Sequence, residues 1–404
     1  MSHKKAQQAQ GQTWIVCQLG AREHYAVPRA LHGLGLLREL FTDLWLRPRT
    51  LTNWQHKLAA RFHPELVNAC VNATNATALT FELKSQAANL GGWELMSKRN
   101  DWFQQSIVAQ LARRERDLDQ QPLSVFAYSY AARNIFEFAR ARGWRTVLGQ
   151  IDPGRADEQM LARLHSNGQA NGWKPAPAAY WNQWRDECEL ADEIVVNSSW
   201  SRDALVSERV PATKIRLIPL AFEPKPEAQA YQRRYPQRFT SARPLRVLFL
   251  GQISLRKGAR QLLDAVRLLG NEPVEVWFVG PKQIDTELGD GGSIKWFGAV
   301  SRSQVDRFYR EADVFILPTF SDGFGLTQLE AQSWKLPVIA SRFCGAVVEH
   351  GRNGVVLEEV SAEAIATVIN DLLRAPEQLV EMSAQSYVRD EFSLHSLASS
   401  LSQL

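Results

Sequence analysis

The 404-residue chain exceeds the length at which one hydrophobic core usually stops growing, so we expect two domains. Hydrophobic residues make up 45% of the chain and charged residues 22%, which excludes an intrinsically disordered protein. The 47 lysines and arginines barely outnumber the 43 aspartates and glutamates, so we predict no nucleic-acid partner.

Residues 1–12 contain two lysines followed by glutamines, without the apolar stretch of a signal peptide, and we predict a flexible tail. No apolar run reaches the roughly 18 to 20 residues that cross a bilayer. The cysteines are too widely spaced to indicate a zinc site or a disulfide framework, and we predict no metal; they are Cys17, Cys70, Cys188 and Cys344. We therefore expect a cytoplasmic protein, with peripheral contact to the inner face of a membrane as an open alternative.

The first half of the chain alternates short apolar runs with segments of helical periodicity. The runs are 14–17, 125–127, 146–148 and 194–196. Strands alternating with helices predict a parallel, doubly wound sheet, and we assign it to an N-terminal domain of residues 13–220. Segment 31–46 fits a core helix or a helix at a membrane surface, and the sequence does not separate the two. Ten of the 13 tryptophans lie in this half, where core packing is a commoner use than sugar stacking.

Residues 221–244 contain four prolines and little apolar periodicity, which predicts a linker. A second Rossmann-like domain, residues 245–385, follows; its apolar runs are 245–250, 274–279, 294–297, 314–317 and 338–340. We expect residues 386–404 to form a helix that packs back on the N-terminal domain. The predicted fold is therefore α/β, with two doubly wound domains facing across a cleft that binds ligand at the carboxyl ends of the strands.

The most informative segment is a strand, a glycine loop and a helix that begins near Leu326. Unpartnered N–H groups and the helix dipole make such a helix start a good phosphate site. Glu330 falls one turn into this helix, where its carboxylate can accept hydrogen bonds from ribose hydroxyls. The segment predicts a nucleotide site.

A second element carries positive charge. The strand ending at residue 250 runs into Gly251, and a turn containing Arg256 and Lys257 precedes a helix at 259–269. These two cations can neutralise a diphosphate leaving group. Gly280 and Pro281, after the next strand, form a further turn that we expect near a base or a phosphate.

These two elements together resemble the retaining GT-B glycosyltransferases of family 4, the sucrose-synthase and mannosyltransferase-like group 1 enzymes. The similar features are a Gly-x5-Lys-Gly turn, an acidic-x7-Glu motif that runs from Asp322 to Glu330 and ends within FGLTQLEA, and segments 191–198, 214–219 and 336–341. The resemblance covers about half of the chain, from about residue 190 to 360. It implies a GT-B fold and transfer of a hexose-type sugar from a nucleotide-diphosphate donor to a hydroxyl of a glycan, a lipid or a small molecule.

The resemblance also implies roles for single residues. Arg256 and Lys257 would bind the donor diphosphate, Glu330 the ribose and Asp322 the transferred sugar; these four form the predicted catalytic group. The sugar and distal phosphate would contact the backbone of Phe324, Gly325, Leu326 and Thr327. The family's usual mechanism is front-face displacement, which depends on positioning and leaving-group stabilisation and needs no metal or cofactor.

Two positions depart from the family pattern. Asp322 stands where glutamate is common, and Gln252 stands where arginine is frequent. The shorter carboxylate and the missing cation leave the donor sugar undetermined. They also keep open an alternative function, a non-catalytic GT-B-like protein that binds a nucleotide or a glycan.

Acceptor-side candidates lie in two loops of the first domain. Gly20, Arg22 and His24 follow the first strand, and Asp152 follows the strand at 146–148. Both loops would reach the cleft, although an exposed loop histidine is more often incidental than functional. A phosphorylase would need a pyridoxal-phosphate lysine, which the sequence does not reveal.

Overall fold

The computed structural model describes residues 12–47, 59–118, 122–166, 173–284 and 292–404. Except for Gln12, the predicted tail lies outside the described residues. Thirteen strands in this part of the chain form two parallel sheets. They are β1 Thr13–Gln18, β2 Leu37–Thr42, β3 Val71–Ala73, β4 Leu123–Tyr128, β5 Arg145–Gly149, β6 Glu193–Val196, β7 Ile215–Leu217, β8 Leu245–Leu250, β9 Val274–Val279, β10 Ile294–Gly298, β11 Val314–Leu317, β12 Val338–Ser341 and β13 Gly354–Leu357.

Helices cover both faces of each sheet, so the central strands are buried on both sides and read as continuous apolar runs. The α-helices of the described residues are α1 Ala26–Gly33, α2 Asn75–Ala87, α3 Gly92–Arg113, α4 Glu115–Leu118, α5 Arg133–Arg140, α6 Arg155–Ser166, α7 Ala178–Leu190, α8 Ser199–Ser207, α9 Pro226–Gln229, α10 Ala259–Leu269, α11 Arg302–Glu311, α12 Thr327–Ser333, α13 Ala362–Arg374, α14 Pro376–Ala384 and α15 Leu394–Ser402. None of these helices has both the length and the apolar character needed to cross a membrane.

The N-terminal sheet has the order β3-β2-β1-β4-β5-β6-β7. Segment 31–46 contributes the end of α1 and all of β2, joined through Gly35 in the left-handed region at φ 70°. Both helical interpretations of this segment are therefore wrong. A parallel pairing with β1 determines the structure of residues 37–42. The charged side chain of Glu39 within β2 is accommodated because Arg114 pairs with it at 3.0 Å.

The C-terminal sheet has the order β10-β9-β8-β11-β12-β13, the doubly wound arrangement in which the winding reverses between β8 and β11. Each sheet is covered on both faces by hydrophobic clusters. The predicted fold class is confirmed. At this switch point the loops after β8 and β11 lie at the same edge of the sheet. The two charged motifs are in these loops.

The last segment of the chain returns to the first domain. Leu397, Ala398 and Leu401 on α15 are buried in the hydrophobic cluster that contains α1. At the crossing, the N–H of Phe222 donates to the carbonyl of Phe392 at 2.8 Å. The two domains are thus connected at residue 222 and again near residue 392.

Candidate functional site

A cleft of about 420 Å³ separates the two domains. From the C-terminal domain it is lined by Phe249, Leu250, Gly251, Gln252, Lys257, Leu317, Asp322, Phe324, Gly325, Leu326 and Thr327. From the N-terminal domain and the connection it is lined by Arg22, Glu23, His24, Ile151, Asn197 and Leu220. The cleft is therefore lined by residues of both predicted donor elements and by two of the acceptor-side candidates, Arg22 and His24.

The loops after β8 and β11 touch through their backbones. The N–H of Phe320 donates to the carbonyl of Arg256 at 2.8 Å, and the guanidinium of Arg256 donates to the carbonyl of Ser321 at 2.9 Å. Gly258 allows this approach, because a Cβ there would lie 1.9 Å from the carbonyl oxygen of Pro318. The contacts hold Arg256 and Lys257 against the glycine loop, although Arg256 itself does not line the cleft.

Lys257 forms an ion pair with Asp322. Their side chains are 16% and 17% exposed, so the pair is largely shielded from water but open to the cleft. The carboxylate of Asp322 compensates the charge of the Lys257 ammonium. A phosphate at the same place would be a second partner for Lys257.

Helix α12 begins at Thr327 with no side-chain cap at Leu326. Gly325, in the left-handed region at φ 79°, turns the chain into the helix, and a Cβ there would lie 2.6 Å from Leu317 Cδ2. The N–H groups of Gln328 and Leu329 donate to the carbonyls of Gly325 and Leu326, both at 3.0 Å, in a tight first turn. Gly325, Leu326 and Thr327 lie at the wall of the cleft, where the positive end of the helix dipole favours an anion.

Glu330 lies one turn along α12, and its carboxylate accepts a 2.8 Å hydrogen bond from the hydroxyl of Tyr309. Burial, together with the nearby carboxylate, raises the pKa of Tyr309 well above its ordinary value, so the hydroxyl stays protonated and donates. The bond fixes one oxygen of Glu330. Glu330 is partly exposed, but it is not among the residues that line the cleft.

Gly280 and Pro281 lie behind the cleft rather than in its wall. A Cβ at Gly280 would lie 1.9 Å from the carbonyl oxygen of Gly251, and the carbonyl of Pro281 accepts from the N–H of Ile253 at 2.9 Å. Both residues therefore support the turn at Gly251, which has φ 137°.

The first loop of the N-terminal domain has unusual backbone geometry. Glu23, His24 and Tyr25 all have positive φ, between 50° and 60°. Such strain costs roughly 1 to 3 kcal/mol per residue and is concentrated at functional sites. Gly20, at φ 82°, starts the loop and donates its N–H to Asp43 at 2.9 Å, whereas Arg22 lines the cleft.

His24 also lines the cleft, and its Nδ1 lies 3.5 Å from the guanidinium of Arg302 in the opposite domain. Burial, and then the charge of Arg302, lowers the pKa of His24 below its ordinary value. The imidazole is therefore neutral at pH 7 and suited to accept or donate a single hydrogen bond.

Asp152 does not line the interdomain cleft, contrary to the sequence-based expectation. Its carboxylate accepts from the Tyr130 hydroxyl at 2.5 Å and from the N–H of Gly154 at 2.9 Å. It faces a second cavity inside the N-terminal domain instead. Burial raises the pKa of Asp152.

The first domain holds the glycine loop through contacts that the sequence did not predict. The indole N–H of Trp200 donates to Ser321 Oγ at 3.0 Å, and the ring packs edge-on against Phe343 with centroids 5.0 Å apart. A Cβ at Gly323 would lie 2.2 Å from the carbonyl oxygen of Ile151. The signal for Trp200 was its place two residues after segment 191–198. Among the described residues, no group of three or more His, Cys, Asp or Glu side chains could hold a metal ion.

Part of the chain is similar to known glycosyltransferases. Residues 233–389 match the family model for glycosyl transferases group 1. The amylovoran biosynthesis glycosyltransferase AmsK of Erwinia amylovora is 26% identical over 212 residues, which are 47% of this chain and 50% of that protein. The GDP-mannose-dependent alpha-(1-6)-phosphatidylinositol monomannoside mannosyltransferase of Mycolicibacterium smegmatis is 26% identical over 260 residues, 58% of this chain and 66% of that protein. The match thus spans about half to two thirds of these relatives' length.

Solved structures show the same fold at low identity. Anabaena HepE in complex with UDP-glucose aligns with a TM-score of 0.60 at 14% identity, over 98% of this chain and 100% of that one. Sucrose-phosphate synthase from Thermosynechococcus elongatus aligns with a TM-score of 0.63 at 17% identity, over 97% and 98% of the two chains. The fold is GT-B, and residues 233–389 are similar to glycosyl transferases group 1.

Proposed function

We propose that this chain, whose C-terminal domain matches glycosyl transferases group 1, is a retaining family 4 enzyme that transfers a hexose-type sugar from a nucleotide-diphosphate donor. The proposal rests on the residues that line the interdomain cleft. Lys257, Asp322 and the start of α12 line one side, and Arg22 and His24 line the other. A pyrophosphate and a sugar are the groups that such a set of cations, N–H donors and a carboxylate can bind together.

The donor would lie along the C-terminal wall. Lys257 and the N–H groups at the start of α12 hold the distal phosphate, Arg256 adds positive charge, and Glu330 receives the ribose hydroxyls. Asp322 then accepts hydrogen bonds from the sugar, while Lys257 exchanges part of its ion pair with Asp322 for the phosphate. Gly251 lets the nucleotide approach the backbone, because glycine has no side chain to block it.

The acceptor would approach from the N-terminal domain. Its hydroxyl oxygen forms a bond to the anomeric carbon as the bond from that carbon to the phosphate oxygen breaks. The proton of the hydroxyl passes to the departing phosphate on the same face, so configuration is retained. The protein contributes positioning and leaving-group stabilisation. We propose that the reaction takes place in the cytoplasm.

A two-part experiment tests the function. Thermal shift with UDP, GDP and ADP sugars identifies the nucleotide, since a ligand that binds only the native state raises the melting temperature. Relatives and neighbours that use GDP-mannose or bind UDP-glucose make those two donors the first to test. Release of nucleoside diphosphate with an acceptor panel then measures turnover. Binding without any release would favour the non-catalytic alternative. No binding of any nucleotide sugar would remove the proposed transferase and the nucleotide-binding alternative, and would leave only a glycan-binding protein.

A further inference from the structure

A second cavity, of about 500 Å³, lies inside the N-terminal domain at the carboxyl ends of β1, β4 and β5. We call it the aromatic cavity and define it by Arg22, Trp93, Asn100, Tyr130, Asp152 and Tyr180, which are among its lining residues. The winding of this sheet reverses between β1 and β4, so the cavity occupies the switch point at which open α/β sheets bind ligands. Its volume is in the range of small-molecule sites.

One wall is a rigid aromatic surface. Tyr180 stacks on Tyr130 with ring centroids 4.8 Å apart and planes at 17°, and Trp93 packs against Tyr180 at 5.1 Å. The indole N–H of Trp93 donates to the carbonyl of Lys174 at 2.9 Å, which fixes the ring on helix α3. The rings are already held in place, so a ligand that stacks on them loses little entropy from ordering them.

Polar groups face the rings. Asp152 is held by the Tyr130 hydroxyl, by Gln150 at 3.1 Å and by the N–H of Gly154. Arg22 contributes a guanidinium whose centre lies 5.5 Å from the ring of Tyr128, and Asn100 contributes an amide on the side of α3. Charged and amide groups beside flat rings match a ligand that has an apolar face and hydroxyls at its edge.

The aromatic cavity adjoins the donor cleft. Arg22 and Ile151 line both spaces. The carbonyl of Ile151 also lies so close to Gly323 that a Cβ there would come within 2.2 Å of it. A ligand in the cavity would therefore present its outer hydroxyl at Arg22 and Ile151, next to the glycine loop that carries Asp322.

We propose that the aromatic cavity is the acceptor subsite and that the acceptor is a saccharide, with a hexopyranose ring stacked on Trp93 and Tyr180. The inference rests on the proposed function and names its acceptor class. The C–H face of the sugar covers the rings, while its hydroxyls bind Asp152, Asn100 and Arg22. A lipid tail in the same place would offer no hydrogen bond to the guanidinium of Arg22 or to the amide of Asn100, whereas sugar hydroxyls can bond to both.

Binding of methyl glycosides of glucose, galactose, mannose and N-acetylglucosamine is measured by saturation-transfer NMR on the full chain. At least one glycoside is expected to bind the wild type, and Trp93→Ala is expected to weaken it about tenfold or more, as the loss of an aromatic stacking partner does. Trp93→Phe should restore part of the affinity. The matched control is Trp102→Ala on the same helix, whose ring stacks on Phe81 at 5.1 Å outside the cavity and whose loss should leave glycoside binding unchanged.

Circular dichroism checks each variant, and Tyr180→Leu, which keeps the bulk of the side chain, replaces Trp93→Ala if that variant does not fold. The thermal shift given by UDP or GDP sugars is recorded on the same proteins. Donor binding without binding of any of the four glycosides, or equal glycoside binding by Trp93→Ala and the wild type, overturns the acceptor assignment and leaves the donor site standing. If the wild type showed no thermal shift with a UDP or GDP sugar, that result would instead count against the proposed function.

Discussion

Lys257 and Asp322 are 65 residues apart in the chain and form an ion pair on the wall of the interdomain cleft. The pair joins the loop after β8 to the loop after β11, the two elements that flank the switch point of the C-terminal sheet. Under the proposed function, Lys257 would face the leaving phosphate and Asp322 would face a hydroxyl of the sugar.

Lys257→Ala is expected to lower turnover by at least about 100-fold, because a cation that stabilises the leaving phosphate acts mainly in the transition state. Release of nucleoside diphosphate in the presence of acceptor measures the effect. The control is Lys225→Ala, which removes another lysine–aspartate ion pair, that with Asp306, at an exposed site away from the cleft. Lys225→Ala should keep nearly full activity, and equal rates for both variants would exclude the phosphate role of Lys257.

Glu330 depends on Tyr309 for its orientation, so Tyr309→Phe is expected to raise the donor KM about tenfold with little change in kcat. The ring of Tyr309 is buried and phenylalanine retains its packing. Tyr231→Phe is the control, since it removes a hydroxyl that donates to the carbonyl of Arg310 at 2.9 Å and does not touch Glu330. An unchanged donor KM in Tyr309→Phe would show that the hydroxyl does not position Glu330.

Glu330→Ala should lower turnover by at least about 100-fold.

The sequence was most informative where strands are continuous apolar runs. The bounds of β8, β9 and β11 agree with the apolar runs, because strands buried on both faces have no polar alternation to obscure them. The strands β2 and β3 were missed, since β2 carries Arg38 and Glu39 and β3 has only three residues. Their pairing with neighbouring strands and the partner Arg114 are tertiary features that a local pattern does not contain.

The candidate site likewise has features that the local sequence shows and features that only the folded chain creates. The turn at Gly251 and the loop before α12 could be predicted because their glycines and charges are close in sequence. Asp152 was placed in the wrong cavity because the groups that hold it, Tyr130 and Gln150, act on its side chain through the folded domain. Trp200 was missed because its partner Ser321 is 121 residues away.

Burial raises the pKa of Glu187 to about 7, although its carboxylate accepts N–H bonds from Tyr130, Ala132 and Arg133 that act in the opposite direction. The folded state therefore binds this proton more tightly than the unfolded state, whose carboxyl has an ordinary pKa near 4.5. Stability from this group is greatest below the unfolded pKa and falls as pH rises to about 7, by as much as roughly 3 kcal/mol.

Urea unfolding of the wild type and Glu187→Gln between pH 4.5 and 8 isolates this contribution from those of other carboxyl groups. The wild type is expected to lose stability relative to the variant as pH rises, and the difference should level off above pH 7. A constant difference across this range would show that Glu187 titrates at its ordinary pKa.

Gly323 is the point at which the glycine loop meets the N-terminal domain, and Gly323→Ala tests whether that contact holds the cleft closed. The added methyl group would lie 2.2 Å from the carbonyl oxygen of Ile151, so either the loop or the first domain must move away. Because a misplacement of about 1 Å can lower a rate about 100-fold, we expect kcat to fall by this order while the C-terminal domain stays folded. Gly292→Ala is the control, since a Cβ there meets no atom within 4 Å. Small-angle scattering should show a larger radius of gyration for Gly323→Ala than for the control, and identical scattering with unchanged kcat would mean that the loop absorbs the methyl group without moving the domains.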